Sequence, residues 1–237
     1  MNNAKYLSLI KPLKPFFLLF IAFLFLVACC PNVSQEKSKI TERYANGKKK
    51  ALCKYRGKGE LEVLIEKITY NDKAQAISQE FPEERIIKFY TWHSNGNRRS
   101  ETIYKNGFIN GNTLEWNRAG QIKRESLYKD DLLIRQVEYL RNTRVEKIYR
   151  MGELFISREY KDGILVTQMI FDDKGKLINV VYRYPDGQIS DEREYKDGKK
   201  NGWWTYWDKN GRLVNRTFFK DDQSVELNSK QTDQKKF

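Results

Sequence analysis

The run Tyr195-Lys196-Asp197-Gly198-Lys199-Lys200-Asn201-Gly202-Trp203-Trp204-Thr205-Tyr206-Trp207-Asp208-Lys209-Asn210-Gly211-Arg212-Leu213 decides the fold. Asp197-Gly198 and Asn210-Gly211 supply the positive φ that tight hairpin turns require. The aromatic residues between them suit a pleated strand, with Trp203, Thr205 and Trp207 on one side and Trp204 and Tyr206 on the other. The same grammar recurs along the chain. A short form is Tyr104-Lys105-Asn106-Gly107, Tyr160-Lys161-Asp162-Gly163 and Tyr184-Pro185-Asp186-Gly187. A form one residue longer is Trp92-His93-Ser94-Asn95-Gly96, Trp116-Asn117-Arg118-Ala119-Gly120 and Phe171-Asp172-Asp173-Lys174-Gly175. Weaker copies end at Gly47, Asp131, Asn142, Gly152 and Asp222. From Gly96 onward every interval between turn ends is 10 to 13 residues. That spacing leaves room for strands of ordinary length and none for ordinary helices. An all-β repeat array follows.

Residues 195–213 resemble the variant MORN repeat of bacteria, which reads roughly Y-x-N-G-x-x-x-G-x-W-x-x-Y-x-x-N-G-x-L. Residues 104–120 match it closely, whereas 131–152 lack the inner Gly and Trp. The resemblance implies an elongated, single-layer antiparallel sheet of successive hairpins over residues 43–222, stabilised mainly by neighbour terms. Its turns would rest on Gly96, Gly107, Gly120, Gly163, Gly175, Gly187, Gly198 and Gly211. In such a sheet rows of Tyr, Phe and Trp would form a dry face and Lys, Arg and Glu a wet one. Whether residues 60–90 continue the array or form a loop around Phe81-Pro82-Glu83-Glu84 stays open at this point.

The chain has 237 residues, a net charge of +13, 14 Tyr, 13 Phe and 5 Trp, with a mean hydropathy of -0.74. A disordered polycation lacks such aromatics, and a compact α/β enzyme carries more aliphatic side chains. Residues 1–15 hold Lys5, Lys11 and Lys14 with no acid, and residues 16–28 are apolar throughout. This pattern reads as a signal peptide over 1–28, the alternative being an uncleaved anchor helix. Leu26-Val27-Ala28-Cys29 resembles the lipobox of bacterial lipoproteins, which implies cleavage before Cys29 and its acylation. Two or more acyl chains anchor a protein stably where one does not. Loss of the three lysines would leave a mature charge of +10. Cys30, not Asp, follows Cys29, which under the same resemblance favours the outer membrane. Residues 29–42 read as the lipidated Cys and a flexible tether, and 223–237 as a polar, disordered tail. Cys30 and Cys53 either pair or remain lone thiols.

The single His removes most nucleophilic and metal constellations. His93 reads as a solvated turn residue, and Asp130-Asp131, Asp172-Asp173 and Asp221-Asp222 as turn acids placed for backbone reasons. No catalytic residue, metal site or cofactor is expected, and the chain reads as a non-enzymatic interaction module. The candidate binding surface is Lys199, Lys200, Trp203, Trp204, Tyr206 and Trp207, an aromatic platform beside basic residues; the competing reading is the best-preserved packing unit of the array. Lys48-Lys49-Lys50, Arg98-Arg99, Lys123-Arg124 and Lys199-Lys200 recur just after turns, as a surface for anionic polymers or lipid head groups would. Expected partners are the membrane through the lipid anchor and a protein or acidic envelope component; nucleic acid is not expected in an exported protein. A second reading, drawn from how variant MORN proteins are often labelled, is an antitoxin-like or immunity-like protein that neutralises a toxin.

Overall fold

The computed structural model describes residues 35–226. The proposed signal peptide, Cys29 and Cys30 lie outside them. Strands β1 (Glu36–Arg43), β2 (Lys49–Arg56), β3 (Val63–Tyr70), β4 (Ala76–Phe81), β5 (Ile86–Trp92) and β6 (Arg98–Lys105) open the array. They are followed by β7 (Phe108–Ile109), β8 (Gly111–Trp116), β9 (Ile122–Lys129), β10 (Leu132–Leu140), β11 (Thr143–Arg150) and β12 (Glu153–Lys161). The last six are β13 (Ile164–Phe171), β14 (Leu177–Arg183), β15 (Ile189–Lys196), β16 (Lys199–Trp207), β17 (Leu213–Lys220) and β18 (Gln223–Val225). Apart from β7 and β8, each strand pairs antiparallel with the next, so spatial order follows chain order in one open 18-stranded sheet. β7 and β8 are two pieces of one strand, both paired with β6.

Successive turns fall on alternate margins of the sheet. One margin carries mostly five-residue turns: 44–48, 71–75, 93–97, 117–121, 184–188 and 208–212. The opposite margin carries mostly two-residue turns such as Asn106-Gly107 and Asp197-Gly198, where both residues have positive φ. The eight turn glycines named above have φ between 72° and 90°.

The five-residue turns come in two chemical forms. In Asn71, Asn117, Asp172 and Asp208 the first side chain accepts from the third and fifth backbone N–H groups, as Asp208 Oδ1 does from Asn210 and Arg212 at 2.8 and 2.9 Å. In Tyr44, His93 and Tyr184 the first side chain instead reaches the next turn on that margin. The Tyr44 and Tyr184 hydroxyls donate to the carbonyls of Tyr70 and Trp207. His93 Nε2 lies 2.9 Å from the Trp116 carbonyl; a carbonyl only accepts, so Nε2 carries the proton. His93 is therefore half-buried and bonded rather than simply solvated.

Burial corrects the expectation of one dry and one wet face. Val180 is 2% exposed and Val181 is also buried, as are Trp204 and Thr205. Adjacent strand residues point to opposite faces, so both faces are dry at those points. With no second layer, a residue is buried only when longer neighbours on its own face lie across it. Most of the buried set is accordingly small: Ala51, Cys53, Ser78, Ser126, Val137, Val180, Val181 and Thr205. Elsewhere cations stack on part-exposed rings: Arg150 over Phe155 at 3.8 Å, Arg216 over Trp203 at 3.9 Å, Arg144 over Tyr160 at 4.0 Å and Lys49 over Tyr70 at 4.3 Å. Each is worth about 0.5–1 kcal/mol at an exposed site. The same stacking explains how low hydropathy and many aromatics coexist.

Residues 36–42, read from sequence as part of the tether, belong with Arg43 to β1, which pairs with β2 along its length. Residues 60–90 continue the array as β3, β4 and β5, and 223–225 add a short last strand. Cys53 is buried, with Sγ 3.4 Å from Thr41 Oγ1, and forms no disulfide among the described residues.

Candidate functional site

The predicted aromatic-basic platform lies on β16, and the pairing register shows how it divides. Arg193 faces Trp204, and Glu192 faces Thr205. Lys200, Trp204 and Tyr206 therefore share one face with Arg193 and Tyr195. Trp203 and Trp207 share the other with Glu192, Glu194 and Arg216. We call these the Trp204 face and the Trp203 face. Lys199 is exposed at the hairpin end.

Between the two halves the strand is bent. Gly202 has φ +105°, and a Cβ placed there would collide with Glu194 Oε2 and lie 2.8 Å from Glu194 Cβ. Its absence lets the Glu194 carboxylate accept the Trp203 backbone N–H at 2.9 Å. The bulge turns the Lys200 backbone outward, where Asp222 of the next turn takes up both groups. The Lys200 N–H donates to Asp222 Oδ1 at 2.8 Å, and the Asp222 N–H donates to the Lys200 carbonyl at 3.0 Å. The equivalent copy repeats this chemistry: the Ile109 N–H donates to Asp131 Oδ1 at 2.6 Å, and the Asp131 N–H to the Ile109 carbonyl at 2.9 Å. These aspartates replace the second turn glycine for that reason. The sequence held the signal, since Asp-Asp follows each Asn-Gly bulge by about twenty residues.

On the Trp204 face the polar groups are already committed. Trp204 is 8% exposed, and its indole N–H donates to the Glu194 carbonyl at 3.1 Å. Arg193 lies 4.8 Å from the Tyr182 ring, 5.2 Å from Trp204 and 5.7 Å from Tyr206. Burial disfavours the Arg193 charge, yet the Asp191 carboxylate 2.7 Å away outweighs that and raises its pKa. Burial pushes the Tyr195 phenol up as well, against the pull of Arg193. Lys200 Nζ sits 4.4 Å from Trp204 and 5.0 Å from Phe219. This half of the platform packs the sheet. On the Trp203 face, Trp203, Thr205, Trp207, Leu213 and Arg216 line a shallow hollow of about 660 Å³ with Glu192 and Glu194. Among the described residues no cluster of three or more His, Cys, Asp or Glu side chains is placed to hold a metal.

The strongest electrostatic feature is a difference between margins. Counting each turn with the strand residue at either end, the long-turn margin holds eleven basic and four acidic side chains, a net of +7. The short-turn margin holds eleven basic and twelve acidic, a net of -1. Lys48 and Lys49, Arg118, Arg141 and Lys209 with Arg212 recur along the first, with adjacent turns two strands apart, about 10 Å.

No family model matches the sequence, and no curated protein matches it. Among solved structures, Staphylococcus aureus TarM is similar over 44% of this chain and 21% of its own, at 9% identity and a TM-score of 0.33. The TcdB2-TccC3 toxin chain is similar over 78% of this chain and 15% of its own, at 12% identity and a TM-score of 0.26. A Bacteroides fragilis protein of unknown function is similar over 79% of this chain and 94% of its own, at 9% identity and a TM-score of 0.13.

Proposed function

We propose that this protein is a lipid-anchored, non-enzymatic interaction module of the bacterial cell envelope, built from variant MORN repeats, that holds a protein or an acidic envelope component against its sheet. The observation that carries this reading is the long basic margin, +7 against -1 on its opposite. An uncompensated row of cations at about 10 Å is not needed to fold the hairpins, since the other margin carries eleven cations balanced by twelve acids. The lipobox at 26–29 and the apolar run before it supply the anchor. Trp203 and Trp207 offer ring surface on one face, and the Asn-Gly bulges at Gly111 and Gly202 occupy the inner glycine position of the repeat.

Acylation is the deciding experiment. Cells expressing the full chain are fed a labelled fatty acid and fractionated, beside Cys29→Ser and Cys30→Ser. The reading requires label and membrane partition for the native chain and for Cys30→Ser, and loss of both for Cys29→Ser. An unlabelled native chain, or Cys29→Ser retained with its label, would refute it.

A further inference from the structure

Arg98-Arg99 and Lys123-Arg124 are sequential basic pairs, yet the fold gives their members opposite employment. Arg98 is pinned: Nη1 bonds Glu101 Oε2 at 2.8 Å, and its guanidinium stacks on Tyr90, Trp92 and Trp116 at 4.7, 5.5 and 5.7 Å. Arg124 is pinned between Glu115 at 3.1 Å and Glu138 at 3.0 Å. Arg99 and Lys123 are exposed and form no ion pair among the described residues. Both are the extra residue of a β-bulge. Trp92 pairs with Arg98 and Thr91 with Ser100, which skips Arg99; Trp116 pairs with Ile122 and Glu115 with Arg124, which skips Lys123. A bulge re-aims the side chain it carries. At the corresponding bulges of β4, β14, β15 and β17 the skipped residues are Ile77, Ile178, Ser190 and Val214, so a cation is not what the bulge itself requires.

The two re-aimed cations meet Arg118, from the turn between β8 and β9, around one groove of about 1030 Å³ on the Trp204 face at the basic margin. Its floor is made of hydroxyls: Thr91, Ser100, Thr102 and Thr113. Thr91 and Ser100 bond each other at 2.6 Å. Thr113 Oγ1 is buried without a hydrogen-bond partner among the described residues. The one acid on the wall, Glu115, is already neutralised by Arg124.

We infer that this groove binds a linear polyanion bearing phosphate groups, with Arg99, Arg118 and Lys123 as its cations and the hydroxyl floor as its donors. Three cations with the hydroxyls of Thr91, Ser100 and Thr102 offer more donors than a carboxylate can use, whereas phosphate oxygens accept from all sides, and guanidinium forks match them in pairs. The cations come from turns two strands apart, about 10 Å, so one phosphate does not span them and a chain of phosphates does. The cations line a groove and do not form a flat patch, which favours a polymer strand over a bilayer of lipid head groups. The inference deepens the reading as a binding module and adds to it a site and a ligand class.

The test is polyphosphate titration of the full-length chain in neutral detergent. The native chain should bind with an affinity that falls as salt screens the charges. Arg99→Glu/Arg118→Glu/Lys123→Glu should weaken binding at least about tenfold. Lys105→Glu/Lys129→Glu/Lys174→Glu, the same change in net charge on the short-turn margin, should weaken it less than about threefold. Equal losses in the two triple variants, no binding by the native chain, or competition by micelles doped with anionic lipid at matched phosphate would each overturn the inference. Cys29→Ser should bind polyphosphate as the native chain does, so the anchor and the groove fail independently.

Discussion

In residues 104–131, and again in 195–222, the chain breaks its own ladder at an Asn-Gly bulge and mends it with an aspartate from the next turn on that margin. In residues 132–161 there is no Asn-Gly break, and the ladder slips only at single skipped residues such as Ile134 and Phe155. Strands β10, β11 and β12 run 8 or 9 residues each and are joined by two-residue turns at both margins. What holds them is side-chain charge. Glu146, 8% exposed, pairs with Arg135 at 2.7 Å and with Arg158 at 3.4 Å, and Tyr160 donates to it at 3.4 Å. The preserved copies thus rely on backbone geometry that few residues can satisfy, and the degenerate stretch on an ion network that many sequences can supply. Loss of the repeat signature there is a change of mechanism and leaves the fold intact.

The largest effect should come from attacking the bulge. Gly202→Ala places a Cβ against Glu194 Cβ, which cannot swing aside as a carboxylate end can. It should cost about 3 kcal/mol, from overpacking together with backbone strain. Gly111→Ala has the same backbone, φ +100°, but nothing within 4 Å of the new Cβ, and should cost about 1 kcal/mol. Urea unfolding of the two variants separates steric from conformational cost. Equal losses would mean that the Glu194 contact contributes nothing.

The next effect belongs to the central stretch and is pH-dependent. Burial alone would raise the Glu146 pKa, but the hydrogen bond and charge of Arg135, then those of Arg158, hold it below the ordinary carboxylate value. A folded-state pKa lower than the unfolded one stabilises above the unfolded pKa of 4.5 and is lost as pH falls through the folded value. Glu146→Gln should therefore cost about 2 kcal/mol at pH 7, with a gap to the native chain that closes in acid. Hydrogen exchange should place the loss in β10–β12 rather than in β16, since an array of this kind opens by segments. Uniform loss across the sheet would contradict the regional division.

Turns and strand alternation were legible in the sequence because each is local: positive φ demands Gly, Asn or Asp, and a strand alternates over a few residues. β1 was not, for a related reason. Glu36-Lys37-Ser38-Lys39-Ile40-Thr41-Glu42-Arg43 has one large apolar residue, and its pairing is supported from elsewhere, by Lys54 on Glu36 at 2.6 Å, Lys50 on Glu42 at 3.0 Å and Glu62 on Lys37 and Lys39. No periodicity announces contacts made two strands away. The platform on β16 was legible as a sequence of rings and in its division between faces, but not in the stacking of Arg193 and Lys200 that commits one half of it to packing. The basic pairs after turns were visible too. Only the register separates Arg99 from Arg98 and Lys123 from Arg124, because a one-residue bulge changes which face a side chain takes.

The smallest effect tests whether the degenerate stretch tolerates, in a backbone conformation that all copies share, a side chain that the preserved copies avoid there. Met151 opens the two-residue turn between β11 and β12 with φ +51°, and it is 94% exposed. The matching positions elsewhere on the short-turn margin are Asn106, Asp130, Asp197 and Asp221, with φ between 49° and 53°. Asn and Asp tolerate this conformation because their short side chains bond the local backbone, whereas a longer side chain pays about 1 kcal/mol or more. Met151 offers little in return: it borders the hollow beside Arg150 and Phe155, but no hydrogen bond or ring contact among the described residues involves its side chain. Met151→Asn should therefore stabilise the chain by about 0.5 kcal/mol, read as a rise in the urea midpoint with an unchanged slope. A loss of stability would show that the thioether is held by a contact the geometry does not display, and that even the loosest turn of the array is specified by its side chain.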